Sequence, residues 1–188
     1  MQDVAPLFEI RPPNPSEFDE TGELVAAAFT DSGDTVANLV VQLRKLWDAG
    51  RGFELIAAST DGALGHVGFT RGFLDSLDRL RHVLVLSPLA VRPGVQGQGI
   101  GSALVRAGLD EASRRGFDLV FLEGAPRLYP KLGFVEAGRH GFGKPSVRIP
   151  DRAFQVYFLT EAGRSLSGQL VYPEVFWECD CVGLRDQE

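Results

Sequence analysis

The chain is short of cysteine and of long apolar runs, and each shortage removes a class of protein. Cys179 and Cys181 are its two cysteines, too few for a disulfide framework or a four-ligand zinc set. The longest apolar run, Leu24 to Phe29, has six residues, against the ~20 that cross a bilayer. The first residues show no basic and apolar regions of a signal peptide. We therefore expect a soluble, cytoplasmic protein with free thiols, no metal and no membrane partner.

Positively charged residues are fewer than negatively charged ones. The 188 residues include 19 Lys and Arg against 25 Asp and Glu, a formal net charge of −6. Such a chain has no general electrostatic attraction for nucleic acids. We therefore expect no nucleic-acid partner.

The hydrophobic pattern predicts one α/β domain over residues 1–188. The length is close to the ~150 residues of an average domain, and no linker divides it. Apolar residues at helical spacing predict helices over about 16–29, 35–49 and 99–115. Strands are predicted over 7–11, 53–58, 64–70, 83–86, 119–122, 153–159 and 171–177.

A glycine-rich segment, Ser87 to Ser102, separates a predicted strand from a predicted helix and holds four of the 22 glycines. Glycine lets backbone N–H groups point into one concavity, and the helix start adds about half a positive charge. The segment therefore predicts a phosphate site built from backbone. A Walker loop fits poorly because no lysine lies between Lys45 and Lys131. A dinucleotide loop also fits poorly, since Ser102 or Leu104 replaces its third glycine.

Two motifs in order resemble those of the GNAT family of acetyl-CoA-dependent N-acetyltransferases. The first is Gln96-Gly97-Gln98-Gly99-Ile100-Gly101 after Leu89-Ala90-Val91, which is similar to the family's Gln/Arg-x-x-Gly-x-Gly/Ala loop. The second, Tyr129-Pro130-Lys131-Leu132-Gly133-Phe134, is similar to its Tyr-x-x-x-Gly-Phe. The segments Gly65–Phe69, Gly124–Tyr129 and Val171–Phe176 resemble the YhbS-type branch of that family.

The resemblance implies an α/β (α+β) fold: a mixed sheet of about six or seven strands, splayed at the acetyl-CoA site, with about four helices. Acetyl-CoA is then the co-substrate. Pro88 and Pro93 are compatible with a bulge in the strand before the loop. The expected cofactor-binding residues are Leu89, Ala90, Val91, Gln96, Gly97, Gln98, Gly99, Ile100, Gly101 and Ser102.

The resemblance also gives Tyr129 the role of general acid. A phenol with a pKa of ~10 keeps its proton at neutral pH and can donate it to a thiolate. Related enzymes often carry a glutamate base on the strand before the loop, but Val83–Pro88 has no carboxylate. The candidate bases are His82 and Glu123, with a chain of ordered waters as the alternative. We expect His66 to be a hairpin residue and not a catalyst.

Three functions remain open from the sequence. The first is acetyl transfer to a small-molecule or peptide amine by direct attack in a ternary complex. The second is a catalytically silent CoA-binding sensor or partner-binding module, motivated by the missing strand carboxylate. The third, nucleotide-phosphate binding, is disfavoured by the absent Walker lysine. Acceptor residues are expected from the first two helices and the loops Gly72–Arg81 and Gly138–Pro150, and the family suggests a homodimer formed through the C-terminal strands.

Overall fold

The computed structural model describes residues 8–183. Within that range the strands are β1 (Glu9–Arg11), β2 (Gly52–Ser59), β3 (Gly62–Asp75), β4 (Leu80–Val91), β5 (Leu119–Glu123), β6 (Val135–Glu136), β7 (Phe142–Gly143), β8 (Phe154–Phe158) and β9 (Gly168–Val171). The α-helices are α1 (Phe18–Ala28), α2 (Gly33–Asp48), α3 (Ile100–Arg114) and α4 (Glu174–Glu178). Short 3-10 helices cover Pro15–Glu17, Tyr129–Leu132, Ala137–His140 and Ala162–Ser165.

The strands form one mixed sheet in the order β1-β2-β3-β4-β5-β8-β6. Neighbours in this order are antiparallel except β4 and β5, which are parallel and are joined through α3. Two short strands lie off the path, because β9 pairs with β3 and with β7. The mixed sheet of the GNAT fold is therefore confirmed, with seven strands in the main order and two beside it.

The middle of the sheet is buried on both faces. Val83 and Val85 of β4 belong to a core beneath α1 and α2, while Leu84 and Leu86 belong to a second core beneath α3. This division follows from the alternation of side chains along a strand. Gly108 lets α3 lie close to the sheet, because a Cβ there would collide with the ring of Phe69 of β3.

The two parallel strands separate after a short paired stretch. Their register pairs Leu84 with Val120 and Val85 with Phe121. Beyond that point β4 continues to Val91 and, among the described residues, has no partner strand on the side of β5. A bulge accompanies the separation, since Ser87 and Pro88 together oppose Gly68 of β3. The splayed sheet is thus confirmed, and it leaves an opening between the two strands.

The predicted strand over 171–177 is wrong. Strand β9 ends at Val171, and α4 follows from Glu174 with Pro173 as its N-cap residue. Proline has no N–H for a strand ladder and its φ suits a helix start. The apolar spacing then serves a helical turn, in which buried Phe176 packs on Tyr172 with ring centroids 5.2 Å apart.

The predicted loop Gly72–Arg81 is also wrong, because most of it is a hairpin. Strands β3 and β4 stay paired out to Asp75 and Leu80, with Phe73 opposite His82. The ring centroids of this pair lie 5.3 Å apart. Alternating side chains extend both strands well past the apolar runs that suggested their ends.

Candidate active site

A large cleft with a volume of about 1080 Å³ lies where β4 and β5 separate. One wall consists of the turn after α1 and the start of α2, and the opposite wall is the segment after β9. The floor is made by the separating strands and by the 3-10 helix that begins at Tyr129. The lining includes Asp31, Asp34, Asn38, Leu86, Ser87, Pro88, Leu89, Glu123, Gly124, Tyr129, Tyr172, Glu178, Cys179, Asp180, Cys181 and Gly183.

The glycine loop lies at the far end of β4, just before α3. Gly94, Gly97 and Gly99 have φ values of +91°, +78° and +87°, which favour glycine, and open space surrounds the position of a Cβ at each. The side-chain amide of Gln96 donates to the Val91 carbonyl at 3.1 Å and ties the loop to the strand. The loop is thus an open concavity of backbone.

The start of α3 aims its amide groups into this loop. The N–H of Ala103 donates to the Gly99 carbonyl at 2.9 Å, so the N–H groups of Ile100, Gly101 and Ser102 belong to the unpaired first turn. Together with the helix dipole, they form a site suited to a phosphate group. Arg92 does not contribute its charge here, because it pairs with Glu20 at 2.9 Å.

Tyr129 stands on the floor of the cleft as the first residue of its 3-10 helix. Gly133, with φ +96°, ends that helix, and Phe134 packs edge-on against the Tyr129 ring. The side chain is only 8% exposed, yet its hydroxyl has no hydrogen-bond partner among the described residues. Burial raises the pKa of Tyr129 to about 12. The phenol therefore keeps its proton and is available to a ligand in the cleft.

Glu123, the last residue of β5, lines the same cleft. Burial raises the pKa of this carboxyl above its ordinary value, partly offset by the Gly183 N–H and by the charge of Arg148. The Gly183 N–H donates to its Oε2 at 3.1 Å. A raised pKa makes a carboxylate a better proton acceptor at neutral pH. Of the two predicted base candidates, Glu123 is the one placed beside Tyr129.

The family of this chain follows from comparison with known proteins. A model of the acetyltransferase (GNAT) family matches residues 18–134, more than half of the chain. The chain belongs to the GNAT acetyltransferase family. This GNAT protein is 33% identical over 161 residues to the uncharacterized N-acetyltransferase YjhQ of Escherichia coli (strain K12), covering 82% of this chain and 86% of that protein.

A second relative and two solved structures are similar to the chain as well. The GNAT chain is 34% identical over 147 residues to the uncharacterized N-acetyltransferase YhbS of Escherichia coli (strain K12), covering 76% of this chain and 84% of YhbS. A crystal structure of YhbS in complex with CoA matches with a TM-score of 0.80 and 28% identity over 94% of this chain and 95% of that one. A GNAT family acetyltransferase from Brucella melitensis, in complex with acetyl-CoA, shares the fold with a TM-score of 0.71 and 24% identity over 90% and 97% of the two chains. The chain is thus an N-acetyltransferase similar to YhbS.

In this GNAT chain, the segment after β9 supplies a wall of the cleft that sequence reasoning did not foresee. Tyr172 is 5% exposed, and both burial and the nearby Glu123 carboxylate raise the pKa of its phenol. Arg148 holds the end of the segment by donating to the Val182 carbonyl at 2.7 Å. The Tyr172-Pro173 pair did stand out in the sequence as a branch resemblance, but nothing in its spacing indicated a place in the cleft.

The three predicted acceptor regions differ in whether they line the cleft. The junction of the first two helices lines the cleft, as expected. Neither Gly72–Arg81 nor Gly138–Pro150 contributes a lining residue. Arg148 of the second region acts from behind the wall, through its hydrogen bonds to the Val182 carbonyl.

The other candidate base, His82, lies away from the cleft. It is exposed near the start of β4, about 13 Å along the strand from Leu86 at ~3.3 Å per residue. His66 is fully buried in β3, consistent with a structural residue. Its Nε2 lies 2.9 Å from Oε2 of Glu54, whose Oε1 also accepts a hydrogen bond from Arg44 at 2.9 Å.

The two thiols lie on the same wall as Tyr172. Cys179 and Cys181 are unbridged, and Asn38 of α2 donates to the Cys179 sulfur at 3.7 Å. Burial raises the pKa of Cys181 to about 11, so its thiol is protonated at neutral pH.

Within residues 8–183 no group of three His, Cys, Asp or Glu side chains is placed to hold a metal ion, and no helix there is long and apolar enough to cross a bilayer.

Proposed function

We propose that the chain transfers the acetyl group of acetyl-CoA to an amine by direct attack within a ternary complex. The observation that carries the proposal is the pairing of Tyr129 with Glu123 in one cleft, at the place where β4 leaves β5. One group is a proton donor and the other a proton acceptor. Acyl transfer from a thioester to an amine needs both.

The chain fits acetyl-CoA along the free edge of β4. From Leu86 to Val91 the strand runs about 17 Å from the cleft to the glycine loop, at ~3.3 Å per residue. An extended arm can bind this edge as an added strand through Leu89, Ala90 and Val91. The pyrophosphate would then meet the N–H groups of 96–102. The complexes of YhbS with CoA and of the Brucella protein with acetyl-CoA support acetyl-CoA as the ligand.

When bound, acetyl-CoA supplies a thioester whose carbonyl accepts the amine. The free edge of β4 lies along the cleft, and N–H groups fixed in that position stabilise negative charge that develops on a carbonyl oxygen. The separation of the strands, and the bulge at Ser87-Pro88, leave these backbone groups without a strand partner. Backbone groups of β4 therefore bind the thioester, and side chains carry out the proton transfer.

Proton transfer is assigned to the two side chains. The acceptor arrives as R–NH3+, and Glu123 takes one proton, directly or through ordered water, so that the nitrogen lone pair can form the C–N bond. As the C–S bond breaks, Tyr129 gives its phenolic proton to the sulfur. The second proton of the nitrogen then restores the phenol. The products are the acetylated amine, the CoA thiol and one proton, which leaves Glu123 for solvent.

Two measurements on the purified protein test this function. Thermal-shift titration with acetyl-CoA, CoA, ATP and NAD should show stabilisation by the two CoA species. Release of CoA thiol over a panel of amines should then show turnover. Binding of acetyl-CoA without turnover of any amine would favour the silent sensor, and no shift with either CoA species would overturn both functions.

A further inference from the structure

The cleft carries charge of one sign. Its lining includes the carboxylates of Asp31, Asp34, Glu123, Glu178 and Asp180, and among the described residues no Lys, Arg or His lines it. From this distribution we propose that the acceptor is a small diamine or polyamine, which presents a second cation in addition to the amine that is acetylated. The inference rests on the proposed acetyl transfer and names the substrate class of that same site.

The acidic residues stand on opposite walls. Asp31 and Asp34 lie in the turn before α2 and in its first helical turn, and Glu178 ends α4 across the cleft. The two walls meet through the hydrogen bond from Asn38 to Cys179. No ion pair joins Asp31, Asp34 or Glu178 to any residue that the structure describes. Their charge is therefore left for a ligand between the walls.

The floor differs from the walls. Tyr129 and Tyr172 are both more than nine-tenths buried, and neither hydroxyl has a hydrogen-bond partner within residues 8–183. Hydroxyls without a partner in the protein are available to form hydrogen bonds with a ligand or with water in the cleft. Beside Glu123 they suit a nitrogen that must lose its charge, whereas the exposed wall carboxylates suit a nitrogen that keeps it. The floor therefore suits an uncharged nitrogen and the walls suit a charged one, which implies an acceptor with two nitrogens.

Binding to the CoA-loaded protein tests the proposal without relying on turnover. Calorimetry with 1,4-diaminobutane and with butylamine, which has the same chain length and one charge, should show about tenfold tighter binding of the diamine. Raising NaCl from about 50 to about 500 mM should remove most of that preference, since exposed charges are screened. Equal affinity for the two amines, or preference for a basic peptide over both, would overturn the inference.

A double variant locates the second cation. Asp31→Asn with Glu178→Gln removes one charge from each wall and no described ion pair, so the diamine-to-butylamine selectivity in kcat/KM should fall about tenfold, toward one. The matched control is Asp48→Asn with Asp110→Asn, which removes the same charge from exposed positions at the far end of α2 and on α3. Selectivity that falls equally in both variants, or in neither, contradicts the proposal.

The two proposals fail in different ways. If the diamine binds selectively but no amine of the panel is acetylated, acetyl transfer is overturned; if other amines are acetylated and the diamine is not, the diamine assignment is overturned. If both amines are acetylated with equal kcat/KM, acetyl transfer stands and the diamine assignment is overturned.

Discussion

The ring of Tyr129 packs directly on the backbone of Gly124, so that a Cβ at residue 124 would collide with Cε2 of that ring. Gly124 follows Glu123, the final residue of β5. The absence of a side chain at Gly124 therefore allows Tyr129, the proposed proton donor, to lie beside the strand end that carries Glu123, the proposed proton acceptor. This contact links a glycine of ordinary φ to the chemistry of the cleft.

Gly124→Ala should displace the Tyr129 ring and lower kcat by about 10²-fold, the usual cost of misplacing a reacting group by about 1 Å. Affinity for acetyl-CoA should change little, because the glycine loop is not involved. Steady-state kinetics and calorimetry measure the two quantities. Gly138→Ala is the matched control, since open space surrounds a Cβ there. Wild-type kcat in the Gly124 variant would show that the ring position is not critical.

Tyr129→Phe should lower kcat by about 10²- to 10⁴-fold, the range for loss of a general acid. The free energy of unfolding should be nearly unchanged, because the hydroxyl has no partner within the described chain. Since the pKa of Tyr129 is raised to about 12, the wild-type rate should show no alkaline decline from this group below about pH 11. A variant as active as wild type would remove Tyr129 from the acid role.

Glu123→Gln should lower kcat/KM and remove the acid limb of its pH profile. The pKa of Glu123 is raised by burial, so in wild type the active carboxylate form appears as pH rises through that raised value. A profile with the same acid limb in the variant would place the base elsewhere, for example in an ordered water chain.

The same substitution has a signature in stability. Folded Glu123 holds its proton to higher pH than the unfolded chain does, so its contribution to stability is complete below the unfolded pKa. That contribution is lost as pH rises through the folded pKa. The Glu123→Gln variant should lack this loss and gain stability relative to wild type between acidic and neutral pH. Urea unfolding at several pH values measures it, and parallel wild-type and variant curves would contradict it.

The sequence predicted the local geometry of the parts of the candidate site that depend on short-range spacing. The loop of 96–102 and Tyr129 lie within short motifs, because a helix start and a 3-10 turn are built from neighbouring residues. Gly133 has the positive φ expected of a helix end. The order of helices and strands was predictable for the same reason, since each apolar period reports its own element.

The sequence could not predict contacts between residues that are far apart along the chain. Glu123 enters the cleft because β4 and β5 separate, and Gly183 reaches its carboxylate from 60 residues away. The cleft wall that contains Tyr172 includes α4. The apolar pattern over 171–177 predicted a strand there, but a helix begins after Pro173. His82 and Glu123 were equivalent candidates by residue type. Only the position of each along its own strand separates them.

Glu54→Gln should destabilise the protein by about 3 kcal/mol, because it leaves the nearly buried Arg44 without its counter-charge. Burial opposes ionisation of Glu54, but hydrogen bonds with His66 and Arg44 outweigh it and lower its pKa. Its stabilising effect should therefore be present above the unfolded pKa and be lost as pH falls. Glu161→Gln, which breaks an exposed pair with Arg164, is the control and should cost at most about 0.5 kcal/mol. Equal losses in chemical denaturation would contradict a special role for the buried pair.

Gly97→Ala tests the glycine loop separately from the proposed catalytic groups. A Cβ at residue 97 meets nothing within 4 Å, but its φ of +78° strains any other residue, by about 1 kcal/mol or more. Relaxation of that strain should turn N–H groups out of the concavity and weaken acetyl-CoA binding about tenfold in calorimetry. Gly116→Ala carries the same strain, with φ +79° and open space, at the other end of α3. If both variants bind acetyl-CoA equally well, the loop shape does not hold the phosphates; weakening confined to the Gly97 variant is the expected result.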